Sequence, residues 1–176
     1  MSWLEDAVEQ VRRDPGAIAT LVPVAGRHVG RENADAARIA LLSALPADGR
    51  AAQAEAIYRY GDNDEKRAVL LALPALDVGP GCVDLLRDAL RSNDSRLVAA
   101  ALGPYAQHLP DAEWRQAVLK SVFMELPLSG VDGLAQRADQ ELARMLGGLR
   151  DEREAAGRVM PADAIALLTV LAEEQD

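Results

Sequence analysis

Apolar residues recur along this chain at intervals of three and four, and prolines and glycines cut the pattern into short segments. That period places one apolar stripe on each of a series of short helices. Ser2-Trp3-Leu4-Glu5 reads as a capping box, a hydroxyl cap with a carboxylate three residues on. The helix it opens carries Leu4, Val8 and Val11 on one face and should stop before Pro15. Residues 17–24 form a short apolar segment, closed by Gly26 and Gly30. Asn33 or Asp35 can cap a helix over residues 36–44, which ends before Pro46. Asp48 can start the next, which runs to about Tyr60 with Gly61 as its terminator.

The middle of the chain repeats itself. Asn63-Asp64-Glu65-Lys66 begins a helix that meets Pro74, and Asn93-Asp94-Ser95-Arg96 begins another that meets Pro104. Residues 82–91 make a second helix between them, and Ile39-Ala40-Leu41-Leu42-Ser43-Ala44-Leu45-Pro46 echoes Val69-Leu70-Leu71-Ala72-Leu73-Pro74. A period of about 30 residues is the mark of an α-solenoid, in which each helix pair buries its neighbour. Asp111 is placed to cap residues 112–124, and Ser129-Gly130-Val131-Asp132 reads as another helix start. The longest helix follows over residues 131–156, with Leu134, Ala138, Leu142, Met145 and Leu149 on one face and Gly147-Gly148 as a place to kink. Pro161 suits the first position of a last helix carrying Ile165, Leu168 and Leu171. The expected architecture is all-α: a short, HEAT-like solenoid of stacked antiparallel helix pairs, ending in a long helix and a C-terminal helix. No strand and no Gly/Ser-rich linker is legible, so residues 1–176 are expected to form one domain.

Composition supports this picture. The 176 residues are 49% hydrophobic but only 3% aromatic, so Leu, Ala and Val must build the core. That suits close-packed helices better than a sheet, which favours Val, Ile, Tyr and Thr. A chain of this size buries roughly 70% of its extended surface and needs no covalent staple. The net charge is −9, and the pI is about 4.7. An acidic balance argues against nonspecific nucleic-acid binding and against docking on an anionic membrane. No apolar run approaches the roughly 20 residues of a membrane span. The acidic start, Met1-Ser2-Trp3-Leu4-Glu5-Asp6, lacks the basic region and apolar core of a secretory signal. A soluble, cytoplasmic protein is expected.

Candidate chemistry is sparse. Cys82 is the single cysteine, which removes an intramolecular disulfide and a cysteine-based zinc site, and a small buried residue is its expected role. His28 and His108 fall in no ligand spacing. Gly61-Asp62-Asn63-Asp64-Glu65-Lys66 is the most polar loop, yet Arg67 and Leu73 stand where a calcium loop needs Gly and Glu. Helix capping explains the same residues. There is no phosphate-binding loop, no dinucleotide fingerprint and no nucleophile elbow. No catalytic residue, metal or cofactor is assigned. Glu55 and Arg59 form an i,i+4 pair of the kind that supports a helix by about 0.2–0.5 kcal/mol, and Arg137, Glu141 and Arg144 look like a similar ladder. These charges read as a solvated face, or as part of a groove. The candidate groove consists of Tyr58, Arg59, Tyr60, Arg96, Tyr105, Lys120, Arg137, Glu141 and Arg144. Arginine holds carboxylate or phosphate through a planar fork, and tyrosine supplies contact area. Trp114, with Val118, Leu119, Val122 and Phe123 around it, reads as core.

Three stretches together resemble the EboA-domain family of bacterial proteins. The first is Ile57-Tyr58-Arg59-Tyr60-Gly61-Asp62 with Glu65-Lys66. The second is Trp114, Gln116 and Val118-Leu119-Lys120, with Phe123 and Pro127-Leu128. The third is Gly133-Leu134, Arg137, Glu141-Leu142-Ala143-Arg144-Met145-Leu146 and Glu152-Arg153-Glu154-Ala155-Ala156-Gly157-Arg158. The resemblance covers residues 57–158 and carries little before Asp48. It implies a gene cluster that also encodes a UbiA-like prenyltransferase, a TatD-like hydrolase, a dehydroquinate-synthase-like protein and a sugar-phosphate-isomerase-like protein. Such clusters move or mature secondary metabolites, including export of pigment precursors. No catalytic residue carries over. The function expected is a non-catalytic helical scaffold or adaptor that binds a partner protein such as the prenyltransferase or the hydrolase. The alternative is a binder or enzyme for an anionic metabolite, phosphorylated or isoprenoid, clamped by Arg59, Arg96, Arg137 and Arg144.

Overall fold

The computed structural model describes residues 2–173, so Met1 of the acidic N-terminal stretch lies outside it. All regular elements among the described residues are helical. Eleven α-helices occur there: α1 (Trp3–Arg13), α2 (Ile18–Val29), α3 (Ala34–Ser43), α4 (Arg50–Tyr60), α5 (Asn63–Ala72), α6 (Val83–Arg91), α7 (Ser95–Ala101), α8 (Asp111–Phe123), α9 (Leu134–Arg137), α10 (Gln140–Ala155) and α11 (Ala162–Glu173). Short 3-10 turns join several of them, as at Leu73–Ala75 and Pro104–His108, where a proline opens the turn.

The chain divides into two compact units, Met1–Ser92 and Asn93–Asp176. In the first, α3 packs on both α2 and α5, α5 packs on α4, and α1 closes on α2 and α3. Its core is aliphatic: Val11, Ile18, Leu41, Leu42, Leu45, Leu70, Leu73 and Leu76 are almost fully buried. Each such side chain contributes about 1.5–3 kcal/mol of transfer free energy. In the second unit α10 packs on α8 and α11, and α7 packs on α8, around Trp114, Leu102 and Leu142.

Caps set the helix starts. Ser2 makes the expected capping box, its hydroxyl accepting from Glu5 N while Glu5 accepts from Ser2 N. Asp62 and Glu65 form a second one at the head of α5, with bonds of 2.9 and 2.7 Å, so the polar loop read as a cap is one. Other boundaries depart from the sequence pattern. Segment 17–24 is the front of a longer helix, α2, which continues through Pro23. Asn33 holds the N-cap position of α3, but its side-chain amide donates back to Val29 O and makes no cap bond. Gly49, at φ 78°, holds the N-cap of α4 in place of Asp48. Asp111 is the first residue of α8, not its cap.

The largest departure concerns residues 131–156, which do not form one helix. The chain is extended at Ala138 and Asp139, and it restarts as α10 with the Asp139 carboxylate accepting from Leu142 N at 3.0 Å. Asp139 is an acceptor-bearing residue that favours an N-cap over a helix interior, and Arg115 holds it there. Ser129 lies in a 3-10 turn, Leu128–Gly130, and caps nothing downstream. Gly147 and Gly148 sit inside α10 without ending it.

The repeat also slips. The prolines at 74 and 104 both open 3-10 turns, but α5 starts at Asn63 and α7 at Ser95, with Asp62 and Asp94 as the caps. The second copy therefore has a shorter α-helix, seven residues against ten.

Candidate functional site

The residues singled out as a groove fall on both units and make different local contacts. In the first unit, Tyr58 is buried in α4 and its hydroxyl donates to Asp88 of α6 at 3.0 Å. Burial, then the neighbouring Asp88 carboxylate, push the phenol above its ordinary pKa. Lys66 lies over the same ring, 5.2 Å from its centroid. Arg59 pairs with Glu55 on the surface of α4 at 2.5 Å. Tyr60 projects from the end of that helix, 90% exposed.

In the second unit, Arg96 pairs with Asp94 at 3.1 Å. Tyr105 is buried, with the His108 ring tilted against it at 4.7 Å. Lys120 is half-buried on α8. Arg144 and Glu141 pair on the exposed face of α10 at 2.6 Å, and each side chain holds its partner's charged form, lowering the Glu141 pKa and raising that of Arg144. Arg137 is separated from that pair by the break before α10. Its guanidinium turns inward, donating to Ala106 O at 2.9 Å, to Leu109 O at 2.7 Å and to Asp111 at 2.7 Å. It also lies over Trp114, which is fully buried and whose indole N–H has no hydrogen-bond acceptor.

Arg137 belongs to a set of arginines that serve main-chain carbonyls. Arg50 donates to Leu45 O and Leu76 O, Arg38 to Val22 O, and Arg153 to Val159 O while pairing with Glu125. The planar guanidinium fork can donate to two acceptors at once, as Arg137 does to Ala106 O and Leu109 O and Arg50 to Leu45 O and Leu76 O. Sequence reading missed Arg38, Arg50 and Arg153, because nothing local marks an arginine that reaches another element. Among the described residues no group of three or more His, Cys, Asp or Glu is placed to hold a metal ion.

Two surfaces stand out instead. The first is α11 in the second unit. Its sequence, ADAIALLTVLAE, is apolar except at Asp163, Thr169 and Glu173, yet only Ala164 and Leu171 are buried. Ile165, expected to face inward, is 43% exposed, and Val170 is 50% exposed. The helix is anchored by Gln140, which donates to Leu171 O, and by Asp163, which accepts from Leu128 N. Leu167 and Val170 form one wall of an open groove of about 600 Å³, and residues 128–136 form much of the rest. The signal was legible: a helix with only three polar residues needs cover on more than one side.

The second is a cleft in the first unit, about 170 Å³, between α2 and α4. Ala19, Val22 and Pro23 of α2 and Gln53, Ala56, Ile57 and Tyr60 of α4 line it, with Gly61 and Glu65. Elsewhere in that unit Trp3 stacks flat on His28, with centroids 4.5 Å apart.

A family model described as "Metabolite traffic protein EboA" matches residues 28–168, well over half of the 176-residue chain. The chain belongs to the EboA family. The EboA match begins in α2 and takes in all of α3, so it reaches further toward the N-terminus than the resemblance at residues 57–158. It covers the 128–136 wall of the α11 groove and Leu167 but ends before Val170, and Ala19, Val22 and Pro23 of the cleft precede it. No curated protein and no solved structure matches this EboA chain. Among the described residues no helix is long and apolar enough to cross a membrane.

Proposed function

We propose that this EboA protein is a non-catalytic adaptor in metabolite traffic that docks a partner protein on the exposed apolar face of α11. The family description supports a role connected with metabolites. The observation that carries the docking reading is the exposure of Ile165 and Val170 on a helix with only three polar residues. Apolar area gathered in water is typical of an interaction surface. The adjoining groove, walled by Leu167 and Val170, suits an apolar side chain or helix of the partner. The partner candidates are the cluster-encoded proteins implied by the family resemblance, the UbiA-like prenyltransferase and the TatD-like hydrolase. The reading takes residues 1–176 as one working domain in the cytoplasm, a HEAT-like stack of helix pairs with an extended binding surface. The family match, which includes parts of both units, supports treating them together.

The second reading, an anionic metabolite held by an arginine fork, places a demand on its ligand: at Arg59, Arg96, Arg137 or Arg144 it must displace Glu55, Asp94, Asp111 or Glu141 respectively.

The test is native mass spectrometry after co-expression with the neighbouring gene products. The adaptor reading expects a complex with one of them, lost in an Ile165→Glu/Val170→Glu variant that keeps its helical circular dichroism. A complex indifferent to those substitutions, or no complex with any neighbour, sinks it. A small mass retained by the isolated protein favours the second reading.

A further inference from the structure

We propose that the cleft between α2 and α4 binds a small uncharged molecule with an apolar ring or branched chain and one O–H or N–H donor. The size comes from the volume. The cleft encloses about 170 Å³, and a dry cavity of roughly 150 Å³ holds one benzene. The apolar body comes from the walls, which Val22, Pro23, Ala56 and Ile57 dominate.

The donor comes from the polar groups available. Pro23 sits inside α2 and has no N–H, so the carbonyl of Ala19, a lining residue, lacks its i+4 helical donor. Gln53 adds a side-chain amide that both accepts and donates. Glu65, also in the lining, is a buried carboxylate whose Oε2 already accepts from Asp62 N. Its charge, on a chain of net −9, disfavours an anion beside it. This is the opposite preference to an arginine clamp.

Two features of the lining bear on binding. At Gly61 an added Cβ would stand 2.6 Å from Ile57 O and 2.8 Å from the Glu65 Cβ, so the cleft is close-packed there. The neighbouring Tyr60 ring is 90% exposed. An aromatic ring there covers the outer face of a bound apolar group and recovers burial it lacks alone. The site lies wholly in the first unit and does not depend on docking at α11 in the second.

The experiment is a ¹H–¹⁵N NMR titration of the full chain with benzyl alcohol, and separately with benzoate, its anionic counterpart. Benzyl alcohol should shift the amides of Ala19, Val22, Gln53, Ile57 and Tyr60, with a Kd on the order of 1 mM, as suits so few atoms. Benzoate should bind at least about tenfold more weakly. Ala56→Leu fills the cleft and should weaken benzyl alcohol by at least about tenfold. Ala19→Leu does the same from an exposed helix position, so it reports even if the Ala56 variant fails to fold. Shifts that fall outside the cleft, benzoate binding as tight as the alcohol, or unchanged binding in Ala19→Leu overturns the proposal.

Discussion

The guanidinium of Arg137 lies over the indole of Trp114, 4.7 Å from the ring centroid, and binds two carbonyls and a carboxylate at the same time. An arginine that looked like a rung on a solvated helix face thus ties α9 to the turn Pro104–His108 and to the start of α8. The ring contact is worth about 0.5–2 kcal/mol and places a cation over a ring whose N–H has no acceptor.

Replacing Arg137 by Ala should therefore cost stability before it costs anything else. The loss expected is about 2–3 kcal/mol, since two carbonyls and Asp111 lose a charged donor. Arg137→Lys should recover less than half of it, because an ammonium cannot fork between Ala106 O and Leu109 O. Urea unfolding of the two variants measures both. Equal midpoints for wild type and Arg137→Ala would show that the side chain carries no structural role.

Tyr58 should make stability fall in alkali. Its folded-state pKa is raised, by burial first and by Asp88 second. A raised value means the native state holds the proton more tightly, so this stability is fully present below the unfolded phenol pKa near 10 and is lost as pH rises above it. Tyr58→Phe should cost about 1 kcal/mol at neutral pH, for the lost bond to Asp88, and should flatten the alkaline slope. Unfolding curves at neutral and alkaline pH would reveal it, and an unchanged slope in the variant would assign the effect elsewhere.

Asp139 should act in acid. Arg115 and the backbone N–H of Leu142 hold its carboxyl below the usual carboxylate range. The stability this contributes is present above the unfolded pKa near 3.9 and is lost as pH falls through the lower folded value. Asp139→Ala should cost about 1 kcal/mol through the cap of α10 alone. Asp139→Asn keeps an acceptor for Leu142 N and should lose the acid dependence while retaining most of the cap. Thermal melts between mild and strong acid distinguish the two variants.

Gly61→Ala should destabilise the first unit by about 1–3 kcal/mol, through overpacking. Its φ is −82°, so backbone strain is not the reason; the new Cβ would collide with Ile57 O and Glu65. Gly49→Ala is a contrasting control, because nothing lies near its Cβ and only the positive φ opposes it. Hydrogen exchange at the ends of α4 and α5 should rise in the Gly61 variant and not at α10.

Much of the helical pattern was legible because its causes are local. The capping box at Ser2, the start of α5 and the turns at Pro74 and Pro104 each follow from a few adjacent residues. The break at Asp139 was hidden, although an Asp in mid-pattern was a hint. An apolar stripe from Leu134 to Leu149 continues across it, and the partner that fixes the break, Arg115, is 24 residues away. Tyr58, Tyr60 and Tyr105 show the same limit for the candidate groove. The sequence marks all three as rare aromatics, and burial alone separates the exposed Tyr60 from the other two.

Periodicity, composition and motif content are properties of the chain read in order, and they carry the all-helical class, the acidic net charge and the family. Which side chains are spent on holding the fold depends on packing. Arg50, Arg137 and Arg153 turn to main-chain carbonyls, and Ile165 and Val170 stay in water. The reason is physical. A guanidinium fork goes where carbonyl and carboxylate acceptors converge, and a helix buries whichever face its neighbours cover; both depend on residues distant in sequence.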